Sequence, residues 1–153
     1  STFVAVSPVR VLDTRDAVVL WAGPFVTGVP HDVKVTGSIP TSAGAQLVMP
    51  VGATGVVLNV TVVNSTADGY VSVRPADAVG APQTSNINFE ARKTVANSIT
   101  VNLPTSIVRH KQATTSLSIL QVHAMATLFQ GSIPTIGYMK LVAAGLLQLS
   151  MKK

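Results

Sequence analysis

An alternating apolar run from Gly55 to Asn64 constrains the fold more than any other stretch of the chain. Every second residue in this run is valine or leucine, as expected for a β-strand with one face packed on a core. A second alternating run, Tyr70–Pro75, follows after Asn64–Gly69, a segment rich in residues that favour turns. The pattern predicts two strands joined as a central β-hairpin.

The size and composition of the chain favour a single all-β domain. Its 153 residues can bury a self-sufficient core, and the absence of cysteine excludes disulfides and thiolate metal sites. We predict one antiparallel β-sandwich over residues 1–153, with either a jelly-roll or an immunoglobulin-like topology. Within it, residues 104–153 form a candidate divergent assembly segment, which ends in a short helix or a docking strand.

Other segments predict the remaining elements. Ser1–Val6 is an apolar opening strand that ends at Ser7–Pro8, and Asp32–Thr36 is a second strand. Gly37–Thr54 is rich in Gly, Pro and small residues, which predicts a long loop. Ser98–Leu103 alternates with its aliphatic residues inward, two further strands are expected within 106–129, and Ile136–Met151 is ambiguous between strand and helix.

Charge is scarce and unevenly distributed. Only 11% of residues are charged, against about 25% in an ordinary soluble domain. Either uncharged polar side chains solvate the surface, or much of it is buried against other subunits, and we favour the second interpretation. Residues 1–90 hold all six acids, whereas residues 91–153 hold seven Lys or Arg and no acid. The basic residues are too scattered, with too few aromatics between them, to favour nucleic-acid binding.

A set of charged and hydroxyl side chains follows the opening strand. Arg10, Asp13, Thr14 and Arg15 lie close together in the sequence. The Asp and Thr side chains can bond nearby amides, and either Arg can pair with Asp13 or Asp16. This pattern predicts a cross-braced turn in preference to a ligand site.

No catalytic, cofactor or metal site emerges from the sequence. His31 and Asp32 are adjacent, so on a strand they point to opposite faces, and we interpret them as exposed loop polarity. His110 and His123 have no cysteine and only one glutamate in the chain to join them in a ligand cluster. We therefore predict a protein that is not an enzyme and needs no cofactor.

Asparagine is frequent in the second half of the predicted sandwich. Asn86, Asn88 and Asn97 suit turn and edge positions, where a side-chain amide satisfies backbone groups. The alternative is a polar ligand groove, because neutral amides beside aromatics also form sugar-binding surfaces. The aromatic residues considered for such a ligand surface are Trp21, Tyr70 and Phe89.

The last part of the chain is apolar and nearly uncharged. A candidate assembly surface there comprises Tyr138, Leu141, Leu146 and Leu147. The run from Leu141 to Met151 has only about half the length that a membrane-spanning helix needs, so we predict no transmembrane segment.

Five segments in order resemble a secreted repeat domain that is common in actinobacteria and cyanobacteria. They are Pro8–Arg15, Val57–Thr61, Gly69–Pro75, Ser85–Phe89 and Val95–Asn97. The resemblance implies a β-rich, non-catalytic, surface-exposed module, in which the motif residues are Arg10, Asp13, Thr14, Arg15, Asn59, Asn86, Asn88 and Asn97. The chain departs from the family pattern at Glu90–Arg92 and near its end, where only Gly137–Tyr138 echoes the usual closing strand.

Two functions follow as expectations. The first is a structural module that assembles in many copies on a particle or cell surface, for example as a phage head-decoration or tail protein. Its partners would be further copies or other structural subunits, and its location an extracellular surface or a virion. The second is an adhesion module that binds carbohydrate or cell wall.

Overall fold

The computed structural model describes residues 2–15, 23–35, 37–41, 44–49, 53–103, 119–126 and 135–148. Within these ranges the chain is all-β, and no helix occurs. The strands are, in chain order, β1 (Thr2–Asp13), β2 (Phe25–Val26), β3 (His31–Lys34), β4 (Gly37–Thr41), β5 (Gly44–Met49), β6 (Ala53–Val63), β7 (Gly69–Pro75), β8 (Ile87–Phe89), β9 (Val95–Asn102), β10 (Ile119–Ala126) and β11 (Thr135–Gln148).

Two antiparallel sheets pack face to face around one apolar core. The first has the order β1-β11-β6-β9, with β2 also paired to β11, and the second has the order β3-β10-β7-β8. Buried side chains from both sheets form a single cluster, which includes Leu58 of the first sheet and Leu120 of the second. This arrangement is the predicted antiparallel β-sandwich.

The strand pairing identifies the sandwich as a jelly roll. When β2 and the β4–β5 hairpin are set aside, the first remaining strand pairs with the last, β1 with β11, and the next two pairs are β3 with β10 and β6 with β9. The innermost pair is β7 with β8. In addition, β11 pairs with β6, and β10 pairs with β7. Nested antiparallel pairs that are joined into two sheets in this way have jelly-roll topology.

The predicted central hairpin is wrong. β6 lies between β11 and β9 in the first sheet, whereas β7 lies between β10 and β8 in the second. Asn64 to Asp68 therefore crosses from one sheet to the other instead of turning back within one sheet. Both strands were recognised correctly, but alternation identifies the buried face of a strand and not its neighbours.

Two further boundaries differ from the sequence prediction. The expected long loop over Gly37–Thr54 contains the two strands of the β4–β5 hairpin. The opening strand does not end at Ser7–Pro8, because β1 continues to Asp13 with an irregular register between Ala5 and Val9. Proline is tolerated there because β1 lies at the edge of the sheet formed by the described strands, and the irregularity interrupts its pairing with β11.

The C-terminal run is a strand in the interior of the first sheet, and not a helix. β11 lies between β1 and β6, and it pairs with both along most of its length. Of the two strands expected within 106–129, β10 is described, and the remainder of that range lies outside the described residues. The inward direction predicted for Ile99, Val101 and Leu103 is confirmed, since all three are buried.

Candidate functional site

The charged set at the end of β1 is a compact brace around Asp13. The Asp13 carboxylate is 3% exposed and accepts hydrogen bonds from Arg15 Nε at 2.9 Å and Arg15 Nη2 at 2.8 Å. Arg10 Nη1 lies 3.0 Å from Asp13 Oδ2, the oxygen that Arg15 Nη2 also contacts. The Arg15 side-chain hydrogen bonds hold the pKa of Asp13 below its ordinary value. Asp16, the other acid considered as a partner, lies outside the described residues.

Thr14 ties this brace to the rest of the sandwich. Its backbone N–H donates to the Met139 carbonyl at 3.0 Å, and its Oγ1 accepts from the Met139 N–H at 3.0 Å. Its own carbonyl accepts from the Gly23 N–H at 2.8 Å. One buried residue therefore joins the end of β1 to β11 and to the segment that leads into β2. The geometry of Arg10, Asp13, Thr14 and Arg15 is therefore that of the predicted cross-braced turn.

Asp13→Asn is expected to destabilise the protein by about 1–2 kcal/mol at neutral pH, near the low end for hydrogen bonds to charged groups because both arginines are half-exposed. The folded-state pKa of Asp13 is lowered, so its stabilising effect exists above about pH 4 and is lost as the pH falls through the folded-state value. Urea unfolding from pH 7 to 2 should show the two proteins converging in acid. Glu90→Gln, which removes an exposed pair with Lys93, is the matched control and should change nothing resolvable. A constant difference across this pH range would contradict the prediction.

The asparagines hold strands and loops together. Asn86 Oδ1 accepts from the Val73 N–H at 2.7 Å, and the Asn86 N–H donates to the Val71 carbonyl at 2.8 Å. Asn97 Nδ2 donates to the Asn86 carbonyl at 2.8 Å, which links the two sheets. The two remaining asparagines of the motif, Asn88 and Asn59, accept side-chain hydrogen bonds from Ser85 and Thr61.

The three aromatic residues of the expected ligand surface are not brought together. Phe89 is buried in the core, so its assignment to a ligand surface is wrong. Its ring fills the space above Gly69, where an added Cβ would lie 2.7 Å from Phe89 Cζ. Tyr70 is partly buried, opposite Asn88 in the register of β7 and β8. Trp21 lies outside the described residues.

The histidines do not form a reactive centre in the described part of the chain. His31 belongs to β3 and is half-buried, with its ring edge-on to Phe25 at a centroid distance of 4.9 Å, so its interpretation as exposed loop polarity is wrong. Burial lowers the pKa of His31 because it disfavours the charged ring. His123 lies opposite Ser72 in the β10–β7 register, and His110 is outside the described residues. Among the residues described, no group of His, Cys, Asp or Glu could hold a metal ion.

The expected assembly surface on the last strand includes one residue that belongs to the core. Leu141 has no exposed surface, and β1 and β6 lie on either side of it, so it is unavailable for docking. Tyr138 is 40% exposed. Leu146 and Leu147 lie opposite Val4 and Phe3 in the register of β11 and β1.

An exposed apolar stretch on β1 was not anticipated as a surface. Every residue from Thr2 to Ala5 is exposed, including Phe3 at 57% and Val4 at 38%. The Phe3 ring lies on Gly145 of β11, where an added Cβ would come within 2.5 Å of Phe3 Cε2. The sequence signal was the uncharged run Thr2–Val6, but its place at a sheet edge depends on the topology.

The fold and these surfaces define the class of the protein: a jelly-roll β-sandwich in which the residues of its most polar motif bond one another and the backbone. Comparisons with protein-family models, curated proteins and solved structures find no match to this chain. The described residues include no helix that is long and apolar enough to cross a membrane.

Proposed function

We propose that this protein is a non-catalytic structural module, displayed in multiple copies on an extracellular surface or a virion. The observation that carries the proposal is the exposed apolar part of β1, in a chain with only 11% charged residues. Such a chain has few charges to keep its copies apart by repulsion. Apolar groups at a strand edge favour contact with another protein.

The brace around Asp13 supports the non-catalytic part of the proposal. Its carboxylate is buried, accepts hydrogen bonds from Arg15 and forms an ion pair with Arg10, and the Thr14 hydroxyl accepts from the Met139 N–H. A general base or nucleophile must reach a substrate, and these atoms instead face their own neighbours. The set is better suited to holding β1 and β11 together than to chemistry.

The topology adds an argument by analogy. Jelly rolls occur in viral capsid proteins and in lectins, although a fold alone does not determine a function. The resemblance of five segments to a secreted surface module points in the same direction. A phage head-decoration or tail protein fits both arguments.

Size-exclusion chromatography with light scattering tests the proposal directly. The purified chain is expected to form multimers at micromolar concentration and physiological salt. These should persist at about 1 M salt, because apolar contacts are not screened as exposed ion pairs are. A monodisperse monomer under both conditions would argue against a building block.

Adhesion to carbohydrate is the second candidate, and its specific support is the position of Tyr70 opposite Asn88. A partly exposed aromatic ring beside an amide is a combination that can bind a sugar. A glycan array probed with the native chain and with Tyr70→Ala decides this alternative. Binding lost in the variant would support it, and the absence of binding by the native chain would remove it.

A further inference from the structure

We infer that β1 pairs with the β1 strand of a second copy, antiparallel and around a two-fold axis, through the segment Thr2–Ala5. The first sheets of two molecules would then form one continuous sheet. This inference rests on the proposed assembly function and names the surface and the partner for it.

The position of β1 in the sheet is the first step. β1 ends the order β1-β11-β6-β9, so among the described strands only β11 pairs with it. The chain also brings parts of β3, β4 and β5 near β1, yet Thr2–Ala5 remain exposed. The backbone N–H and C=O groups on the outer side of an edge strand are a template for another strand.

The other sheet edges differ from β1 in a way that discourages pairing. β9, at the opposite edge of the same sheet, exposes the polar side chains of Ser98, Thr100 and Asn102. In the second sheet, the edge strand β3 carries Asp32 and Lys34, and the other edge strand, β8, is only three residues long. Polar side chains, charges and short length are the usual protections of an edge. The segment Thr2–Ala5 carries no charge and only one polar side chain, the Thr2 hydroxyl, and it belongs to a strand of 12 residues.

Apolar side chains on both faces of β1 favour a strand as the partner. Phe3 and Val4 are adjacent, so they project to opposite faces of the sheet, and both are exposed. A partner that covered one face would leave the other in water. A strand added beside β1 would place its own side chains next to both.

Charge favours a second copy as the occupant. Residues 2–9 contain no charged side chain, so two antiparallel copies bring no like charges together. The next charge along the strand, Arg10, is paired with Asp13 at 3.0 Å. The uncharged segment of residues 2–9 offers no charge that could select a charged partner, whereas a second copy of the same segment is equally uncharged. Antiparallel pairing of identical strands gives a closed two-fold contact.

The irregular register between Ala5 and Val9 sets the length of the interface. Regular pairing should be confined to the residues before it, because such an irregularity disrupts the ladder and twists the strand. A contact this short lies at the weak end of protein interfaces, so the dimer should depend on concentration in the micromolar range.

Charge substitution on the two edges of the first sheet tests the inference. Val4→Lys should weaken self-association by about tenfold or more in sedimentation velocity, because two ammonium groups would meet near the axis. Thr100→Lys, which adds the same charge at an exposed position of β9, should leave association unchanged. Phe3→Lys probes the opposite face and serves as a second variant if Val4→Lys does not fold.

The outcomes separate this inference from the proposed function. A monomeric native protein would overturn both. A native multimer that is unaffected by Val4→Lys and Phe3→Lys would overturn the β1 contact and leave the assembly function in place. Dissociation by Thr100→Lys instead would place the contact at the other edge and also overturn the inference.

Spin labels measure the geometry of the contact. The chain has no cysteine, so single variants Thr2→Cys, Phe3→Cys and Val4→Cys can each carry one nitroxide. In a two-fold antiparallel pair, the offset along the strand between equivalent residues grows by about 7 Å for each residue away from the axis, so the three distances cannot all be equal. Dipolar distances that differ among the three positions in this way would support the arrangement. Three equal distances would indicate parallel pairing and overturn it.

Discussion

Gly69→Ala is expected to destabilise the protein by about 3 kcal/mol, the upper part of the range for overpacking a well-packed site. An added Cβ would lie 2.2 Å from the Met125 carbonyl oxygen and 2.7 Å from Phe89 Cζ. Met125 belongs to β10, which is paired to β7 at this point, so the closest atom is backbone and cannot rotate away. Relief requires the two strands to separate or the Phe89 ring to leave its place in the core. The midpoint of urea unfolding measures the loss.

Gly28→Ala is the matched control for this substitution. Gly28 has a φ of +78°, a conformation that costs a side chain about 1 kcal/mol, but an added Cβ would meet nothing within 4 Å. It should therefore lose much less stability than Gly69→Ala. If both variants lost equally little, β7 and β10 would not approach each other as closely at Gly69 as the structure indicates.

The strands were largely predictable from the sequence, whereas their neighbours were not. Alternation at Val56, Leu58 and Val60 located β6 and its buried face, because that pattern reflects one strand in contact with a core. The next strand, β7, was found in the same way. That these two strands lie in different sheets is decided by contacts with β10 and β11, which follow much later in the chain.

The same distinction applies to the candidate site. The pairing of Asp13 with Arg10 and Arg15 was predictable because all three lie within six residues. The hydrogen bonds between Thr14 and Met139 join residues that are 125 positions apart, and no local sequence pattern predicts them. Phe89 was misplaced for a different reason. The alternation of Asn86, Ile87, Asn88 and Phe89 places Ile87 and Phe89 on one buried face, but an aromatic residue beside asparagines also fits a sugar-binding surface.

The β4–β5 hairpin shows a different limit. Gly, Pro and small residues favour loops, and Gly37–Thr54 is rich in them. The two strands nevertheless pair from Gly37 with Met49 to Thr41 with Gly44. Backbone pairing with an adjacent strand has here overridden weak side-chain preferences, which is usual for β-structure.

Leu141→Ala is expected to cost about 2–5 kcal/mol, because it removes a fully buried side chain and leaves a cavity between the sheets. Leu141 lies between Leu12 of β1 and Val60 of β6 in the register, and all three have no exposed surface. The sequence alone predicts that Leu141 docks on another subunit. In that case Leu141→Ala would weaken assembly and leave the fold intact. The structure predicts the reverse.

Tyr138→Ala is the control on the same strand. Tyr138 is three residues away, on the opposite face of β11, and is 40% exposed, so its truncation should cost about 1 kcal/mol or less. Urea unfolding and light scattering on both variants separate the two roles of the strand. If Leu141→Ala kept its unfolding midpoint but lost self-association, β11 would be a docking strand, and the exposed edge at β1 would no longer be needed to explain assembly.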